Sequence, residues 1–105
     1  MKNQELMNLA SNFSRLEWLC HHPKETADVE KLLQEMKKFI ERLLEESTPA
    51  LQNLLSDLQL RVATWGQVWG RLGKEVDFRN AVGREAHAWS EKLLKLRKVH
   101  ENKDA

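Results

Sequence analysis

His87 is the residue of this chain best placed for chemistry. On a helix it lies roughly opposite the apolar line Phe78, Val82, Ala86, Trp89, Leu93, so its imidazole is expected at the surface. Gly83 and Ser90 are expected to flank it on that face, and Glu91, four residues on, can pair with it. An exposed imidazole can exchange protons near neutral pH or accept a phosphoryl group. Cys20-His21-His22 puts three possible metal ligands in a row. Adjacent residues do not converge on one ion easily, and no second ligand cluster exists to complete a tetrahedral site. His21 and His22 are therefore read as closing the first helix, where a partly cationic ring suits the dipole. The same dipole should raise the thiol pKa of Cys20.

The local run Ala86-His87-Ala88-Trp89-Ser90-Glu91 resembles the active-site motif of histidine phosphotransfer domains, which are also four-helix bundles. That resemblance covers six residues and implies phosphotransfer through His87. The family has Lys and Gly three and four residues after its histidine, where this chain has Ser90 and Glu91. Elsewhere Glu85 and Glu91 do not converge, no Ser/His/Asp set is legible, and no enzyme activity, cofactor or metal is expected. A second set of chemistry-bearing residues is basic: Arg71 and Lys74 at one turn, then Arg84, Lys95 and Lys98 on one side of the last helix. Such a cluster can neutralise the phosphates of a nucleic-acid backbone, although no recognition-helix, RNP or zinc-finger motif accompanies it. The charge is unevenly spread. Residues 1–60 hold 7 Lys/Arg against 10 Asp/Glu (−3), and residues 61–105 hold 10 against 6 (+4).

These side chains need a scaffold, and 105 residues fit one domain. A chain of this size buries roughly 65% of its unfolded surface, enough for a core without disulfide or metal. With 41% hydrophobic and 31% charged residues it reads as globular. The lone Cys20 excludes an intramolecular disulfide framework and fits a reducing compartment. No signal-like or membrane-length apolar run is present, so a cytoplasmic location is expected.

Periodicity divides the chain into four helices, at about 3–20, 26–46, 49–72 and 78–100, with a frayed tail at 101–105. The core stripes read Leu6, Leu9, Phe13, Leu16, Cys20 in the first and Val29, Leu32, Leu33, Met36, Ile40, Leu43, Leu44 in the second. The third carries Leu51, Leu55, Leu58, Val62, Trp65, Trp69, Leu72; the fourth adds Leu96 and His100 to the line given above. Capping is expected from Asn3, Thr48 ahead of Pro49, and Asp77, with Gly73 as a stop signal. Lys31/Glu35, Lys37/Glu41 and Arg42/Glu46 are spaced to pair on the outer face of the second helix. Short links favour antiparallel neighbours, so the expected fold is an all-α, up-down-up-down four-helix bundle in a single domain.

The third helix carries more than a core stripe. Ala63, Gly66, Gly70 and Gly73 form a line of small residues beside it, and Leu60 points away from both. In-phase glycines cost about 1 kcal/mol each against alanine and need some compensation, such as close approach of another backbone. The first helix has its own second line, Met7, Ala10, Ser14, Trp18, away from its core stripe. Met7, Trp18, Leu60, Ala63, Gly66, Gly70 and Gly73 are therefore the candidate protein interface. Together these features describe a small non-catalytic interaction protein such as an adaptor, assembly subunit or inhibitor. Its partner would be another protein or a second copy; nucleic acid is the alternative partner, and no membrane is expected.

Overall fold

The computed structural model describes residues 3–22 and 26–104, with side chains described for 4–22 and 28–96. It contains α1 (Asn3–Cys20), α2 (Thr26–Glu46), α3 (Pro49–Leu72) and α4 (Val76–Asp104), and no strand among the described residues. These form a four-helix bundle measuring 45 × 22 × 17 Å. The long axis is set by α4, whose 29 residues span about 44 Å at 1.5 Å per residue. No helix is long and apolar enough to cross a membrane among the described residues.

A single core cluster joins the four apolar stripes. Leu6, Phe13, Leu16, Met36, Ile40, Leu55, Leu58 and Leu93 are fully enclosed. Each buried leucine contributes roughly 1.5–3 kcal/mol of transfer free energy. Leu44, Leu72, Phe78, Trp89 and Leu96, expected in the core, are only partly buried at its rim. Ala10 and Leu19 join the core without having been expected there. His100 and Lys98 lie outside the described side chains.

Several local expectations are corrected. The fourth helix begins at Val76 and runs on to Asp104. Asp77 thus sits within its first turn, where its carboxylate suits the dipole, and is not the cap. Thr48 does occupy the N-cap of α3 but makes no side-chain cap bond; its carbonyl accepts from the amides of Leu51 and Gln52. None of the three expected ion pairs on α2 forms. Glu41 instead accepts a hydrogen bond from Gln59 of α3, and the Arg42 guanidinium lies 5.4 Å from the Phe39 ring centre. Gly73 does end α3, but in right-handed conformation (φ −63°), so it is no left-handed cap. A Cβ there would stand 2.6 Å from the Trp69 carbonyl oxygen and 2.7 Å from its indole Nε1. Glycine is needed because the turn closes on both the carbonyl and the indole of Trp69.

The helices pair unequally. α1 packs chiefly on α4 and α2 on α3, and α1 and α2 join the two pairs. Contact between α3 and α4 is concentrated at their turn, where the Trp69 and Phe78 rings lie 5.6 Å apart and Arg79 donates to the Gly73 carbonyl. Beyond that turn the two helices separate.

Candidate functional site: the two flanks of α4

The flank of α4 that faces α1 is closed by small residues. The Ser14 and Ser90 hydroxyls share a hydrogen bond of 2.8 Å. One turn along, Glu17 meets His87; one turn further, Cys20 and His21 meet Gly83, where a Cβ would touch the Cys20 Cβ at 3.4 Å. Residue numbers rise on one helix as they fall on the other, the mark of an antiparallel pair. This corrects two expectations. Gly83 and Ser90 do not leave open space around His87, because both are buried against α1. Likewise Ala10 is buried in the core, and Ser14, though exposed, is bonded across this seam.

His87 itself is exposed, and both of its ring nitrogens are occupied. Nδ1 lies 3.1 Å from Glu17 Oε2, and Nε2 lies 3.1 Å from Glu91 Oε1. Its pKa is raised above the usual 6.5, first by the hydrogen bond it donates to Glu17 and then by the two nearby carboxylate charges. The Glu91 contact follows from four-residue spacing. Glu17 was missed, and its signal lay in the matched ladders of small and polar residues, Ser14/Glu17/His21 and Gly83/His87/Ser90.

Near the end of α1, His22 Nδ1–H donates to the Trp18 carbonyl at 2.6 Å and its ring stacks on the Trp18 indole at 3.6 Å. The ring thus adds a second donor to a terminal carbonyl that already accepts from the His21 amide, and it shields one face of an indole that stays 54% exposed. Burial pushes the Cys20 thiol up to about 11, with Arg79 opposing and Glu17 adding to the shift. Desolvation, rather than the helix dipole, is the dominant cause. Among the described residues no group of three or more His, Cys, Asp or Glu side chains could hold a metal ion.

The opposite flank of α4, toward α3, is open. A groove of about 490 Å³ runs between Asp57, Leu60 and Arg61 of α3 and Glu85, Ala88, Trp89 and Lys92 of α4. Its walls are bridged by a bidentate pair: Arg61 Nε and Nη2 donate to the two Glu85 oxygens at 2.8 and 2.7 Å. Arg61 also lies 5.5 Å from the Trp65 ring centre, and the Lys92 ammonium lies 5.0 Å from that of Trp89. Leu60 projects beside the groove at 67% exposure, the largest among the exposed bulky apolar residues described. Arg61, Glu85 and Lys92 were not singled out as a set. Their convergence depends on the spacing of two helices and leaves no mark within either one.

The candidate interface residues fall in four places. Ala63, Gly66 and Gly70 lie on the α2 side of α3; Gly66 has nothing within 4 Å of a would-be Cβ, and Gly70 has only Glu30, at 3.7 Å. A shallow groove there is walled largely by Glu30, Gln34, Lys37 and Gln67. Leu60 borders the α3–α4 groove instead, while half-buried Met7 and exposed Trp18 belong to α1. Gly73, expected on the outward line, is buried beneath Trp69. Of the basic set, Arg71 and Lys74 are exposed at the α3–α4 turn, and Arg84 and Lys95 are exposed on the back of α4. At 100° per residue that back stripe also carries Asp77 and Glu91, so it is not continuously basic. No family model, curated protein or solved structure matches this chain.

Proposed function

We propose that this chain is a small non-catalytic interaction protein that works by protein–protein contact through the α3–α4 groove. One observation carries the reading: α3 and α4 stand apart beyond their turn, leaving Leu60 and Trp89 beside an unfilled groove spanned by the Arg61–Glu85 pair. Aromatic and arginine side chains in a partly enclosed, apolar setting are the usual anchors of protein contact. The glycine line on the other side of α3 faces a smaller groove whose lining is about equally polar and apolar, and it ranks below. Backbone binding by Arg71, Lys74, Arg84, Lys95 and Lys98 ranks second, since Asp77 and Glu91 interrupt the stripe that holds Arg84 and Lys95. Phosphotransfer ranks last: carboxylates at both nitrogens of His87 repel an incoming phosphoryl group.

The immobilised protein, incubated with extract from its native source, tests the order of these readings. Leu60→Glu should lose the protein partners that wild type retains, while Gly70→Leu should keep them. Equal retention by both variants, or retention of nucleic acid that Arg84→Glu with Lys95→Glu abolishes, would overturn the reading.

A further inference from the structure

We infer that the partner seated on the α3–α4 groove is a second copy of this chain, related by a two-fold axis that runs along the groove. The inference rests on the protein-contact reading and names its occupant.

The groove is self-complementary in charge. Arg61 and Glu85 neutralise each other across it. That leaves one unmatched charge on each wall. Asp57 on α3 makes no ion pair among the described residues, and Lys92 on α4 meets only the Trp89 ring. Any partner that covers the groove must answer a carboxylate on one wall and an ammonium on the other, or leave them desolvated and unpaired at a cost.

A second copy answers both at once. A two-fold axis along the groove lays α3 of each copy over α4 of the other and preserves position along the axis. Arg61 and Glu85 fix the level at which the two antiparallel helices face each other. From that level Asp57 lies about one turn toward the open end of the groove and Lys92 about two turns in the same direction. Asp57 of one copy is therefore within about one turn of Lys92 of the other, inside the reach of a lysine side chain, and the symmetry repeats the pair. Leu60 of each copy comes level with the Glu85–Trp89 stretch of the other, where it finds Ala88 and Trp89. A two-fold axis across the groove would instead set α3 on α3 and leave both charges unmatched.

Charge reversal provides a test that symmetry makes specific. Sedimentation equilibrium from ~1 μM to ~1 mM should show wild type passing from monomer to dimer. Asp57→Lys and Lys92→Asp should each weaken the dimer about tenfold or more, because each places like charges opposite one another twice. An equimolar mixture of these two variants should recover near-wild-type association, since every contact in the mixed dimer is then Lys against Asp. Circular dichroism identical to wild type shows that the variants fold, and Leu60→Glu should be monomeric. A mixture that stays as weak as its components, or a wild type that is monomeric throughout, overturns the second copy. If that monomer still retains a native protein in a Leu60-dependent way, the protein-contact reading survives alone; if it retains none, both fall.

Discussion

The two flanks of α4 are built from side chains of different size, and they meet their neighbours differently. Toward α1 the helix presents Gly83 and Ser90, which let the backbones approach until two serine hydroxyls bond directly. Toward α3 it presents Glu85, Trp89 and Lys92, which reach outward and are bridged by one ion pair. Small residues supplied by both partners close a seam, while long ones on both sides hold a groove open. The comparison also separates the glycines. Gly83 and Gly73 sit where another group comes close, and Gly66 sits where nothing does.

The largest expected effect lies in the closed seam. Ser90→Leu should destabilise the fold by about 1–3 kcal/mol through overpacking. In a domain of this size each kcal/mol lowers Tm by roughly 4–8 °C. Ala88→Leu, two residues away but on the open side, should change stability by less than about 0.5 kcal/mol. Chemical denaturation of both variants breaks the comparison if their losses are alike.

Smaller and opposite in sign is the effect at the exposed glycine. Gly66→Ala should stabilise by about 0.5–1 kcal/mol, because alanine favours the helix and no neighbour obstructs a Cβ. Gly73→Ala should destabilise, since its methyl would strike the Trp69 carbonyl. Thermal melts of the pair show whether the outward line of α3 is free in solution. A loss at Gly66 would mean that something packs there.

The smallest effect concerns the clasp across the seam. The folded pKa of His87 is raised, so protonation favours the folded state. Its contribution is fully present below the unfolded value of 6.5 and is lost as pH rises through the higher folded value. Wild type should therefore exceed His87→Gln slightly in Tm below pH 6.5, and the difference should shrink as pH rises above it. A difference that grows with pH would contradict the Glu17–His87–Glu91 arrangement. The ring is exposed and screened, so the shift should shrink in high salt.

Most of the core was legible because helical period alone identifies the face each helix turns inward. Leu51, Leu55, Leu58, Val62, Trp65 and Trp69 repeat at that period, and all are buried. The exposure of Trp18 and Leu60 followed from the same count. The role of Gly73 did not, because the clash it avoids depends on how tightly the turn closes on the carbonyl and indole of Trp69.

Sequence by itself therefore determined the number of helices and the stripe each one buries, since both follow from the 3.6-residue repeat and local stop signals. Tertiary structure decided which side of α4 closes and which stays open. Periodicity orients a residue about its own helix axis, whereas the separation of two helices is set by pairs of side chains, one from each. Ser14 with Ser90 and Arg61 with Glu85 are such pairs, and neither is visible until both helices are in place.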